Sequence, residues 1–254
     1  MEPKPVQEDQ RPAYPTRRDV LAGAATFALA NLVGCDFVMA EPESGKVIVA
    51  PVFEHGEGRG ATGCIVVSPP VFMSEEEGLQ ILREELAKHG IQLKAGGILE
   101  GIRVPARSES YELVKKGGKE EVKNSVVEVP GHAKPLKLSG IDSDKKIAVE
   151  FVSYQHYHDL GGSRSASTVQ GYGFKEVAEQ VAAQVKKEAK DRIFFGVFYD
   201  PLPRMPRIEP QKNDADLELQ WKKRMDQGKQ ESKKLLRLQA QDFVAWLKEQ
   251  KAIP

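Results

Sequence analysis

Residues 147–199 open with the run IAVEFV (147–152) and close with IFFGVFY (193–199), and FKEVAEQVAAQVKKEA (174–189) lies between them. The two outer runs are rich in β-branched and aromatic residues and have the length of buried strands. In the middle segment the apolar positions recur at helical spacing: Phe174, Val177, Ala178, Val181, Ala182, Val185 and Ala189. A strand, a helix and a strand in immediate succession predict a βαβ crossover, which places the two strands parallel in one sheet.

A second helix is predicted upstream, over residues 74–89. Ser74 is followed three residues later by Glu77, which is the pattern of a capping box at a helix start. Gly90 supplies a typical helix end. We therefore expect a helix here, with one face used for packing.

Shorter segments complete the predicted domain. The β-branched runs at 47–49 and 64–67 predict strands, and the four glycines within residues 54–63 predict a loop between them. Residues 106–125 are charged and rich in Ser, Lys and Gly, which predicts an exposed connection.

The chain thus divides into an α/β domain at residues 47–200, a Pro-rich linker at 201–213 and a C-terminal helix at 214–250. The predicted fold class is α/β, with a single sheet built from βαβ crossover units and the long C-terminal helix added to it. A mixed α+β arrangement is the alternative.

Composition excludes several classes of protein. The chain has 254 residues, of which 40% are hydrophobic and 29% charged, which is ordinary for a globular protein. Lys and Arg total 37 and Asp and Glu also total 37, so the overall charge does not favour a nucleic-acid partner. The two cysteines are too few for a disulfide framework.

The N-terminus has a different character from the rest of the chain. Arg17 and Arg18 precede an apolar stretch that runs from Val20 to Gly34, and Cys35 follows at once. The stretch has fifteen residues, fewer than the roughly 20 that a membrane-spanning helix needs. Its length matches the apolar region of a secretory signal peptide.

The segment Thr16-Arg17-Arg18-Asp19-Val20-Leu21 resembles the twin-arginine (Tat) export motif, and Leu32-Val33-Gly34-Cys35 resembles a bacterial lipobox. The resemblance implies that residues 1–34 are a signal peptide whose Arg17 and Arg18 are recognised by the Tat translocase. It also implies that cleavage before Cys35 leaves a diacylated cysteine, followed by a tether over residues 35–46.

A diacylated protein is held stably at a membrane, so we expect a lipid anchor on the outer, periplasmic side of the cytoplasmic membrane. Asp36 resembles the residue that retains lipoproteins at the inner membrane of enterobacteria. Two alternatives remain open. Cleavage after Val38-Met39-Ala40 would release a soluble periplasmic or secreted protein. Otherwise, the apolar stretch is a buried core helix of a cytoplasmic protein, capped by Asp19.

The candidate chemistry lies at the end of the first strand of the crossover, in the hexapeptide Tyr154-Gln155-His156-Tyr157-His158-Asp159. If that strand continues, His156 and His158 point to the same face, and Asp159 adds a carboxylate. These three residues predict the start of a divalent metal site, and further ligands could come from His55, His132 or Asp200. Partly exposed polar side chains at a strand–loop junction are the simpler interpretation.

No other motif predicts a reaction. Cys64, the second thiol, is interpreted as a small buried residue at the start of a strand, because a nucleophilic role would need a histidine partner. The glycine-rich segments match neither of the common nucleotide-binding patterns.

We therefore predict a lipid-anchored binding or envelope-assembly component, without catalysis and without a cofactor, whose protein or small-molecule ligand is not specified by the sequence. The alternative is an extracytoplasmic metal-dependent enzyme or metal-binding factor centred on His156, His158 and Asp159.

Overall fold

The computed structural model describes residues 46–63, 70–102, 104, 106–116, 119–129, 135–163, 169–190, 192–203 and 214–254, and for 106–129 and 214–216 it describes the backbone alone. The predicted signal segment with Arg17, Arg18 and Cys35, the predicted strand at 64–67 and His132 lie outside these residues. Most of the predicted linker lies outside them as well.

Four strands, numbered in chain order, form the central sheet. They lie in the order β1 (Ile48–Val49), β10 (Phe194–Tyr199), β8 (Ile147–Val152) and β7 (Gly140–Asp142). β1, β10 and β8 are parallel, and β7 is antiparallel to β8 at the opposite edge from β1. All six residues of β8 are buried, as expected for a parallel strand that is covered on both faces.

The predicted crossover is confirmed. After β8 the chain passes through β9 (Val169–Gly173) into α2 (Phe174–Glu188) and returns as β10, which pairs with β8 along its whole length. The predicted apolar stripe of α2 packs on one face of the sheet, and its buried members are Phe174, Val177, Ala178, Val181, Ala182 and Val185.

Two helices cover the opposite face: α1 (Glu75–Ala87) and α3 (Asp214–Glu249). The capping box of α1 is present, since Ser74 N–H donates to Glu77 Oε2 and Glu77 N–H donates to Ser74 Oγ, each at 3.2 Å. Gly90 adopts a φ of +74° just after the helix, in the left-handed region that glycine tolerates best. Helices on both faces of the sheet give three layers, which confirms the α/β class and the long C-terminal helix.

Two short antiparallel pairs accompany the central sheet. β2 (Arg59–Gly63) pairs with β9, and β3 (Ile98–Leu99) pairs with β6 (Leu136–Lys137). The loop predicted for residues 54–63 is therefore wrong in its second half. Glycine content predicts a loop there, but β9 supplies backbone partners along all of β2.

A β-hairpin takes the place of the connection predicted over residues 106–125. β4 (Ala106–Lys116) and β5 (Lys119–Val129) pair in antiparallel register from Ala106↔Val129 to Lys116↔Lys119. Gly117-Gly118 between the two strands is the sequence signal for such a hairpin. The high charge of the segment obscured that signal.

Among the described residues, no helix combines the length and the apolar character that crossing a bilayer requires.

Candidate functional site

The carboxyl ends of β8 and β10 form a topological switch point. After β8 the chain continues to α2 on one face of the sheet, and after β10 it continues to α3 on the other. Open α/β sheets bind ligands in the crevice that such a divergence leaves between neighbouring parallel strands. The first residues beyond the two strands, Ser153 and Asp200, mark this place, and both are buried.

Backbone donors already occupy the carboxylate of Asp200. Its Oδ2 accepts from Met73 N–H at 2.7 Å, and its Oδ1 accepts from Leu202 N–H at 3.4 Å. Burial raises the pKa of Asp200 to about 7 against the effect of these two donors, and the negative charge of Glu77 raises it further. Asp200 thus ties the segment before α1 to the end of β10, which is a structural role.

His156 is the more accessible polar group at the switch point. Its backbone N–H donates to Ser153 Oγ at 3.3 Å, which fixes the loop directly after β8. Its Nε2 lies 3.2 Å from Glu75 Oε2 in the first turn of α1, and the exposed fractions of the two side chains are 39% and 29%. The result is a solvent-accessible imidazole–carboxylate pair.

The expectation that His156 and His158 share a strand face is wrong, because β8 ends at Val152 and a turn follows over residues 154–161. The ring of His158 packs edge-on against Tyr157, with the ring centroids 5.2 Å apart. Asp159 is exposed. The proposed shared face is lost because the backbone turns immediately after the strand.

Of the additional ligands considered from the sequence, His132 lies outside the described residues, and the other two have partners within the protein. His55 Nε2 lies 2.8 Å from Asp242 Oδ2, and the two oxygens of Asp200 accept from backbone groups. Within the described part of the chain, no group of three or more His, Cys, Asp and Glu side chains is arranged to hold a metal ion. The metal site at His156, His158 and Asp159 stays a prediction.

Five aromatic rings pack together beside this loop: Phe72, Tyr154, Tyr157, Tyr172 and Phe174. We call them the aromatic cluster. Centroid separations of 4.6 Å for Phe72–Tyr154, 5.4 Å for Tyr154–Tyr172 and 5.7 Å for Tyr172–Phe174 are typical of favourable ring pairs. Tyr154 is 44% exposed, whereas Tyr157 and Phe174 are buried. Tyr154 is therefore the most exposed ring of the cluster, and it packs against Phe72 and Tyr172.

The sequence signals only part of this cluster. Tyr154 and Tyr157 stand in the hexapeptide that drew attention to the histidines, but no local pattern connects them with Phe72 or Tyr172. Those two residues come from the segment before α1 and from β9, and tertiary packing alone brings them to Tyr154.

Glu150 is a buried acid that the sequence patterns did not single out, because it lies within the otherwise hydrophobic run of β8. Its Oε2 accepts from Ser139 N–H at 2.8 Å, and Ser139 Oγ accepts from Phe151 N–H at 3.0 Å. Burial raises the pKa of Glu150 to about 8, so the side chain is mostly protonated at neutral pH. These two hydrogen bonds give the backbone N–H groups of Ser139 and Phe151 a partner just beyond the point where the pairing of β8 with β7 ends.

No protein-family model matches the chain, and comparisons with curated proteins and with solved structures find no significant match.

Proposed function

We propose that this protein is a Tat-exported lipoprotein, anchored through lipid on Cys35 to the outer side of the cytoplasmic membrane. Its α/β domain acts there as a binding or envelope-assembly component without catalysis of its own. The paired arginines and the Leu-Val-Gly-Cys sequence support the anchoring. The single structural observation that supports binding is the exposed Tyr154 ring at the switch point.

A fixed aromatic ring is well suited to recognition. Tyr154 lies against Phe72 and Tyr172, so its ring is already ordered before any ligand arrives. Burying such a ring adds contact area with little loss of conformational entropy, which is why tyrosines are common at the centres of interfaces. His156, two residues after Tyr154, adds an imidazole, and its partner Glu75 adds a carboxylate.

The anchoring is tested with two variants. Replacing Arg17 and Arg18 by lysine should abolish export, and Cys35→Ala should release the protein from membranes or block its processing. Intact-mass analysis should find a mature chain that begins at a lipid-modified Cys35. A mature chain beginning at Glu41 would establish the alternative cleavage, and unchanged localisation of both variants would establish the cytoplasmic interpretation.

Binding is tested by placing a photoreactive phenylalanine analogue at position 154 in the producing cells. We expect one discrete cross-linked product, which the Phe72→Ala substitution should weaken because it removes the ring that holds Tyr154. The same analogue at the exposed Gln155 is the matched control and should cross-link less. Equal or absent cross-linking at the two positions would contradict binding at this surface.

One contact favours the metal-dependent alternative, namely the 3.2 Å pair of His156 and Glu75. Histidine and carboxylate groups are common zinc ligands. Zinc, iron and copper should be measured in protein purified from membranes without chelators. Stoichiometric metal that is lost in a His156→Ala, His158→Ala variant, but kept in a His89→Ala control, would replace the non-catalytic proposal.

A further inference from the structure

A surface groove runs between the outer edge of the central sheet and α2. It encloses about 450 Å³, and its lining includes Val49, Pro51, Glu179, Ala182, Ala183 and Lys186. One wall is the β1 strand with the residues that follow it, and the other is a helix face with small side chains. The volume is within the range of common ligand sites, but the shape is that of an open channel between a strand and a helix.

The backbone of β1 is available on the groove side. Ile48 N–H donates to Ile193 O at 2.9 Å, and Ala50 N–H donates to Phe195 O at 2.8 Å, so these two residues face β10. Successive residues of a strand direct their backbone groups to opposite edges, and Val49 therefore directs its N–H and C=O toward the groove. Within the described residues β1 is the end of the sheet order, with no strand on that side.

The groove has a charge at each end of its helical wall. Glu179 and Lys186 are seven residues apart in α2, which is about 10 Å along the helix axis. Glu179 is half-exposed and also lies 3.7 Å from Lys175, and Lys186 is exposed. Because α2 runs opposite to the parallel strands, Glu179 is nearer to the carboxyl end of β1 than Lys186 is.

We propose that this groove binds an extended segment of a partner protein, which adds to the sheet as a fifth strand beside β1. Ala182 and Ala183 leave room for one small apolar side chain of that segment. A basic residue faces Glu179 and an acidic residue faces Lys186. In an extended segment, two residues that are four positions apart lie on the same face and are separated by about 13 Å. Long side chains at these two positions can therefore reach both Glu179 and Lys186.

Pro51 limits how far the added strand extends. It has no backbone N–H, so main-chain pairing stops after Val49, and side-chain contacts supply the selectivity beyond it. This inference adds a second binding surface to the exposed Tyr154 ring and is independent of the binding proposed there. The tests below use the full-length purified chain in solution, so their outcome does not depend on export or on the lipid anchor.

Two synthetic pentapeptides serve as probes, one with the sequence Lys-Thr-Val-Thr-Glu and the other with the reverse sequence. Binding is followed by the NMR shifts of the Val49 and Ala183 amides. An added strand that pairs with β1 in one direction lets only one of the two peptides bring its Lys to Glu179 and its Glu to Lys186, so we expect that peptide to bind about fivefold more tightly than the other. The double variant Glu179→Lys, Lys186→Glu should reverse the preference.

A groove-filling variant provides an independent check. Ala183→Trp should abolish the peptide-induced shift at Val49, whereas Lys187→Trp, at an exposed position of the same helix outside the lining, should retain it. Equal affinity of the two peptides, or a preference that survives the charge exchange, would overturn the proposal. A dimer that Ala183→Trp converts to monomers would overturn it as well, because a second copy would then occupy the groove.

Discussion

Gly78 shows at the scale of one residue how packing overrides helix propensity. A Cβ at this position in α1 would lie 2.3 Å from the ring of Phe151, which is completely buried in β8. Alanine is the better helix former by about 1 kcal/mol in an exposed helix. The absence of a side chain instead allows α1 to approach the sheet closely.

Gly78→Ala is therefore expected to lower the free energy of unfolding by about 1–3 kcal/mol, because the added Cβ would overlap the completely buried Phe151 ring. Urea denaturation measures the change. Gly171→Ala is the matched control, since a Cβ there meets nothing within 4 Å, and its effect should stay below about 0.5 kcal/mol. A Gly78→Ala variant as stable as the natural protein would contradict this close packing.

Glu150 makes stability depend on pH. Its pKa of about 8 in the folded protein is well above the ordinary value, so between about pH 4.5 and pH 8 the folded state keeps a proton that the unfolded state releases. The stabilisation is complete below this window and is lost as the pH rises through it. Asp200, with a pKa of about 7, acts in the same direction.

Glu150→Gln should reduce this dependence, because glutamine keeps an oxygen for Ser139 N–H and does not titrate. Between pH 5 and pH 9 the unfolding free energy should fall in both proteins. We expect the decrease to be smaller in the variant, by at least about 1 kcal/mol. Denaturation curves at several pH values measure both slopes. Glu84→Gln, at an exposed position of α1, should leave the slope unchanged. Parallel slopes for Glu150→Gln and the natural protein would contradict the assignment.

At the scale of elements, β1 is so short that, within the described residues, the end of β10 has no strand partner on that side. Gln239 of α3 fills the gap: its Oε1 accepts from Tyr199 N–H and its Nε2 donates to Tyr199 O, each at 3.2 Å. The same Nε2 donates to His55 O at 3.2 Å. A side-chain amide thus replaces the backbone of a neighbouring strand and fixes α3 on the sheet.

Gln239→Leu should lower the free energy of unfolding by about 2–4 kcal/mol, because two buried backbone groups of Tyr199 lose their partner. Gln230→Leu, earlier on the same helix and at an exposed position, should change it by less than about 0.5 kcal/mol. Thermal and urea unfolding provide the comparison. Similar losses in the two variants would indicate that the amide does not complete the sheet.

At the scale of the whole molecule, the β4–β5 hairpin forms a sheet of its own beside the three layers. Its first and last residues, Ala106 and Val129, are register partners, so their Cα atoms are only about 5 Å apart. A short turn can therefore join the chain ends that remain when the hairpin is removed.

Replacement of residues 106–129 by Gly-Ser-Gly should leave the melting temperature within about 4 °C of the natural value, because the layered core loses no strand. Circular dichroism measures it. A control variant removes only residues 111–124, between the register partners Ser110 and Ser125. Unfolding of the full deletion alone would mean that the base of the hairpin stabilises the domain.

The sequence by itself determined the elements that depend on near neighbours along the chain. The apolar stripe of α2, the capping box at Ser74 and the order strand–helix–strand follow from side-chain periodicity and from hydrogen bonds between residues a few positions apart. The export and lipid-anchor predictions also belong to the sequence, since they concern short linear motifs at Arg17-Arg18 and Cys35.

Only the tertiary structure decided which distant groups meet. Met73 donates to Asp200, Phe72 supports Tyr154, and β9 converts a glycine-rich segment into a strand. β8 ends at Val152, so the two histidines lie in the turn that follows and not on the strand whose periodicity would have aligned them. Each of these outcomes depends on the path that the backbone takes after a helix or strand ends. Packing between residues far apart in the chain sets that path, and no local sequence pattern encodes such packing.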